Sequence, residues 1–131
     1  MRISNTLFLV LALAGIMDTA YLASVHYLGT TLACPNSGII NCDKVLNSQY
    51  ADLFGIPLAV YGLVFFILEI GIIYLVRDKD ALVIYNGVGM GFVFYFWWIE
   101  YTLSAVCIYC TISHALVILL LLLSILRLRG E

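Results

Sequence analysis

Four long apolar runs divide the chain, and polar residues are almost confined to the gaps between them. The runs cover roughly residues 6–28, 56–76, 81–103 and 105–126. A helix needs about 20 apolar residues to cross the hydrocarbon core of a bilayer, and each run has that length. The pattern predicts an all-α, integral membrane four-helix transmembrane bundle in a single domain of 131 residues. Few charges interrupt it: Asp18 in the first run, Glu69 in the second, Glu100 near the end of the third. The first run reads as a retained helix and not a secretory leader, because the bulky stretch 21–27 offers no small-x-small cleavage site.

The connections are unequal. The turn Arg77-Asp-Lys-Asp80 joins the second and third runs, and a few residues around Leu103 and Ser104 join the third and fourth. The first and second are separated by residues 29–55, long enough for an extramembrane loop. Within it, Pro35-Asn-Ser-Gly38 is turn chemistry. Asn41 or Asp43 is placed to cap a short helix over residues 44–50.

Composition agrees with the pattern. Hydrophobic residues make up 64% of the chain and charged residues 11%, against about 45–50% and 25% in soluble domains. A net charge of −2 without a basic run gives no footprint for nucleic acid; lipid is the expected surroundings. Five of the six basic residues, Arg2, Arg77, Lys79, Arg127 and Arg129, fall on one side of a four-span topology, and only Lys44 on the other. The positive-inside rule predicts a multi-pass protein of the cell membrane with both termini cytoplasmic and the 29–55 loop outside.

That topology brings the cysteines together. Cys34 and Cys42 lie in the external loop, and Cys107 and Cys110 begin the fourth run at its external end. Positions three and four apart share a helix face, so Cys107, Cys110 and His114 form one column. Ser104 as N-cap would place Cys107 in the first turn, where the helix dipole favours a thiolate. Two pairs on one external surface permit thiol–disulfide exchange. Two structural disulfides in a non-enzymatic four-span protein, or a zinc site, are the competing readings; the seven-residue gap between Cys34 and Cys42 is wide for a zinc knuckle, and no metal is expected. His114 is a polar residue inside a span and therefore a functional candidate. In the third run Gly87 and Gly91 form a small-xxx-small face for close packing. The aromatic run ending at Trp97 and Trp98, with Tyr101 beyond, fits an interfacial belt or a wall for a planar ring.

Taken together, Cys34-x7-Cys42 followed by Asp-Lys-Val-Leu-Asn-Ser, Phe54-Gly-Ile-Pro57 opening the second helix, and Cys107-Ile-Tyr-Cys110 opening the fourth resemble the vitamin K epoxide reductase family, of the prokaryotic kind that supports disulfide-bond formation. Gly15, Thr19 and Tyr21 also fit its pattern. The resemblance implies a four-helix bundle around a quinone of ubiquinone or menaquinone type. It implies that Cys34 and Cys42 shuttle electrons from a thioredoxin-fold protein, that Cys42 exchanges with Cys107, and that Cys110 attacks or forms a charge-transfer complex with the quinone. Cys110, His114, Trp97 and Tyr101 are the expected quinone contacts. Many bacterial relatives carry a fused thioredoxin-like domain; this chain stops at Glu131, so a separate redox partner is expected. Vertebrate relatives have a tyrosine at the position of His114, which makes a respiratory quinone a better expected substrate than vitamin K epoxide. A vitamin K epoxide or quinone reductase proper is the alternative.

Overall fold

The computed structural model describes residues 4–28, 52–104 and 108–130. Cys34, Cys42 and Cys107, and the short helix expected over 44–50, lie outside them. The described chain forms α1 (Asn5–Leu28), a two-stranded hairpin of β1 (Asp52–Leu53) and β2 (Ile56–Pro57), α2 (Leu58–Gly71), α3 (Lys79–Leu103) and α4 (Ile108–Gly130). A π-helical turn, Ile72–Val76, extends α2. Four helices are long and apolar enough to cross a membrane, and they pack as a bundle.

The apolar runs hide which face of each helix is inward. Burial reveals it: Phe8, Ala12, Gly15, Thr19 and Leu22 on α1; Leu82, Asn86, Gly89 and Val93 on α3; Cys110, His114, Val117, Leu120 and Ser124 on α4. These step by three and four residues, the spacing of seams in helix bundles. α1 packs along α2 and α4, and α3 packs along α4, whereas α2 and α3 touch at few places. Two core clusters result. The larger holds Phe8, Phe66, Ile73, Leu82, Val93, Leu116, Val117 and Leu120. The smaller, nearer the hairpin, holds Leu22, Ala23, Ala59 and Cys110.

Glycines set the helix approach at two points. A Cβ on Gly15 would lie 2.6 Å from the Phe66 ring, and one on Gly89 would lie 2.5 Å from Phe65 Cζ. Adjacent rings on α2 thus drop into notches on α1 and α3. The small-xxx-small expectation is corrected here: Gly87 and Gly91 meet nothing within 4 Å, and Gly89 between them is the packed residue. The phase of α3 follows Asn86, whose polar side chain must turn inward, and Gly89 lies three residues on.

Two boundaries also differ from expectation. Phe54-Gly-Ile-Pro57 does not open a helix. Phe54 and Gly55 have φ of 57° and 78°, as a type I′ hairpin turn requires, with Leu53 paired to Ile56; α2 starts only at Leu58. Ser104 is not an N-cap. It closes α3 in a left-handed conformation (φ 53°, ψ 39°), its N–H donating back to Glu100 and Tyr101 carbonyls, and α4 is described only from Ile108. The turn between α2 and α3 is shorter than expected as well: Arg77 is left-handed, Asp78 caps α3 by accepting from the Asp80 N–H at 3.1 Å, and Lys79 is already helical. At this end Asn5, Arg77, Asp78, Lys79 and Arg127 surround a polar cavity of about 210 Å³.

Candidate functional site

α4 carries the core of the site. Cys110 and His114 stand one turn apart on its inward seam and are 3% and 5% exposed. The rise of a helix separates their backbones by about 6 Å. Cys110 belongs to the smaller core cluster, with Val60, Phe96, Leu103 and Tyr109 packed against it.

His114 borders a cleft of about 230 Å³ between α2, α3 and α4. Tyr61, Phe65, Phe66, Tyr85, Phe92 and Phe96 form most of its wall, and Gly62 and Gly89 also line it. The cleft exists because α2 and α3 diverge after their tight turn. Tyr85 Oη donates to the Phe65 carbonyl at 2.6 Å, with the two rings stacked 4.7 Å apart. Asn86 Nδ2 donates to Glu69 Oε1 at 3.0 Å. These links tie α2 to α3 on the side toward the tight turn. Val64, Leu68, Val88 and Phe92 border the cleft yet remain exposed on the outer helix faces. The opening therefore faces sideways, toward lipid.

The imidazole of His114 is fixed from α3. Trp97 Nε1 donates to His114 Nδ1 at 3.2 Å, and the Phe96 ring lies 5.2 Å from the imidazole. His114 Nε2 is buried and has no hydrogen-bond partner among the described residues. Trp97 is 42% exposed and reaches the site through His114; neither it nor Tyr101, 87% exposed, lines the cleft. The aromatic residues of α3 that line the cleft are Tyr85, Phe92 and Phe96.

Asp18 and Glu69 lacked partners in the sequence and have them in the fold. The Ser113 hydroxyl donates to Asp18 Oδ2 at 2.5 Å, tying α4 to α1 beside His114. Glu69 meets Asn86. Both pairs join residues distant in sequence, which no local pattern signals. Among the described residues no cluster of three or more His, Cys, Asp or Glu side chains is arranged for a metal ion.

Residues 6–125 match the vitamin K epoxide reductase family. The chain belongs to that family. The fold gives the residues of α1 that fit the family pattern a physical reading. Gly15 receives Phe66, Thr19 donates to the Gly15 carbonyl and meets Gly62, and Tyr21 packs edge-on against Tyr109 of α4, centroids 5.4 Å apart. Over 50 residues, 38% of the chain, the sequence is 46% identical to the thiol-disulfide oxidoreductase LTO1 of Arabidopsis thaliana. The match spans 13% of that relative's length.

The cleft suits a quinone. Its wall is aromatic and aliphatic, as a planar ring and its lipid tail need, and it is bordered by His114, whose buried Nε2 has no partner among the described residues. Small-molecule sites commonly pair such apolar walls with a few oriented polar groups.

Proposed function

We propose that the protein is a thiol oxidoreductase that moves two electrons from an external thioredoxin-fold protein to a membrane quinone, and so supports disulfide-bond formation. The observation that carries this reading is the pairing on α4 of a buried Cys110 with His114, one turn on, at the rim of a lipid-facing aromatic cleft.

The cysteines do the exchange chemistry. A donor thiolate attacks the Cys34–Cys42 disulfide, and the donor's second thiolate resolves the mixed disulfide, leaving the donor oxidised and both loop cysteines reduced. The Cys42 thiolate attacks Cys107 of a Cys107–Cys110 disulfide and releases Cys110. Cys34 then displaces Cys107 from Cys42, which restores the loop disulfide and leaves Cys107 and Cys110 reduced. That pair returns to its disulfide by losing two electrons and its two thiol protons. A quinone held in the cleft would supply the acceptor for those two electrons and two protons, as its quinol form. Cys110, inward on the seam, stands one turn from the cleft's histidine. His114 orients a ring, Phe96 and Tyr85 flank it, and the apolar wall excludes water. The loop and the hairpin face the outside, with the basic helix ends in the cytoplasm.

Cys110→Ala is expected to abolish quinone reduction by a dithiol-bearing protein partner; wild-type turnover would end this reading. Cys34→Ala is expected to spare turnover driven by a small dithiol more than turnover driven by a protein. Equal losses with both donors would remove the shuttle role.

A further inference from the structure

We propose that Trp97 is a positioning residue that fixes the tautomer of His114, so that the cleft presents one N–H donor to a carbonyl oxygen. The inference rests on the cleft being the quinone site and adds how that site recognises its ligand.

An indole N–H is only a donor. With Trp97 Nε1 3.2 Å from His114 Nδ1, Nδ1 must accept and carries no proton. A neutral imidazole then bears its proton on Nε2. A doubly protonated ring would set two N–H groups against each other across the Trp97 contact, so Trp97 also holds the ring neutral. The indole itself is held edge-on by Phe94, centroids 5.5 Å apart, and Phe96 covers the imidazole.

The remaining donor is Nε2–H, buried and without a partner among the described residues. Two other polar groups at the cleft are engaged elsewhere: the Tyr85 hydroxyl on the Phe65 carbonyl and the Ser113 hydroxyl on Asp18. A buried donor left without an acceptor is costly. The group that relieves it must bring an acceptor, be flat enough for the aromatic walls, and be apolar enough to enter from lipid. A quinone carbonyl meets all three conditions. The same tautomer limits what His114 does. Loss of Nε2–H would leave an imidazolate, so the residue orients and polarises a carbonyl and is not the proton source.

The test uses the full chain in lipid nanodiscs with ¹⁵N-labelled histidine. The chain has two histidines, and His114→Gln assigns the signal. Wild type without quinone is expected to show His114 protonated at Nε2 and bare at Nδ1. Trp97→Phe, which keeps an aromatic ring and removes the donor, is expected to yield a mixture of tautomers. It should also raise KM for a short-chain ubiquinone analogue about three- to tenfold, the range of one neutral hydrogen bond, with kcat little changed. In a His114→Gln background, where the side-chain amide has its own donor, Trp97→Phe should add nothing to KM. A wild-type ring protonated at Nδ1, an unchanged tautomer in Trp97→Phe, or additive losses in the double variant would each overturn the assignment. The wild-type spectrum tests it even if Trp97→Phe folds poorly. The Nε2–H form together with no response to the analogue would support the role of Trp97 in fixing the ring and overturn the quinone reading.

Discussion

A single glycine sets how closely α3 receives the Phe65 ring beside the cleft. Phe65 lies so close over Gly89 that any side chain there must displace its ring, and Phe65 and Gly89 both border the space beside His114. Gly89→Ala is expected to cost about 1–3 kcal/mol by overpacking and to lower quinone turnover, measured by detergent unfolding and by quinone absorbance. Gly87→Ala, two residues away and facing open space, is expected to leave both within error. Glu69 offers a second contrast. Its bond to Asn86 ties α2 to α3 in the interior, so Glu69→Gln, which can still accept from Asn86, should be nearly neutral. Glu69→Ala should destabilise by roughly 1–2 kcal/mol through a cavity and an orphaned amide. The sequence holds three glycines at 87, 89 and 91, and nothing in that triplet says which one packs. Asn86 does say it, because a polar side chain turns inward and sets the helix phase. The partners of Asp18 and Glu69 had no such marker, since each lies on another helix.

At the scale of elements, length was the legible property. Apolar runs of some 20 residues located all four helices, because hydrocarbon thickness sets that number. The ends were less legible. Phe54-Gly-Ile-Pro57 continues an apolar run, yet it turns a hairpin, since Phe54 and Gly55 both adopt positive φ. Ser104 has the chemistry of an N-cap and instead closes the preceding helix, where a left-handed C-terminal residue satisfies the last carbonyls. That conformation is strained for serine and free for glycine. Ser104→Gly is therefore expected to stabilise the protein by about 1 kcal/mol, read as a higher midpoint of thermal unfolding in detergent. A lower midpoint would mean that the serine side chain contributes more than the strain costs.

For the molecule as a whole, the two ends differ in chemistry. One gathers Asn5, Arg77, Asp78, Lys79 and Arg127 around a polar cavity, and Arg127 lies 5.4 Å over the Phe8 ring. The other ends in the Phe54–Gly55 hairpin turn and the α3 cap. Charge bias across spans was readable from the sequence, and it predicts that the basic end is cytoplasmic. A cysteine at Phe54, in a variant lacking the native four, should react with a membrane-impermeant maleimide in intact cells. One at Arg129 should react only after permeabilisation; the reverse pattern would invert the topology and remove the external relay. The bundle also separates its tasks by place. Cys110 packs in a tight cluster, while the cleft one turn away is left open by the divergence of α2 and α3.

The sideways mouth of that cleft, between Val64 and Leu68 on one lip and Val88 and Phe92 on the other, changes what concentration means for this protein. A site that samples the bilayer meets its acceptor as a mole fraction of lipid. Adding inert phospholipid to proteoliposomes at fixed protein and quinone should thin the acceptor and slow turnover, whereas adding the same volume of buffer should leave quinone supply untouched. The rate would then follow a surface density, set by how much quinone the membrane holds rather than by how much is in the tube.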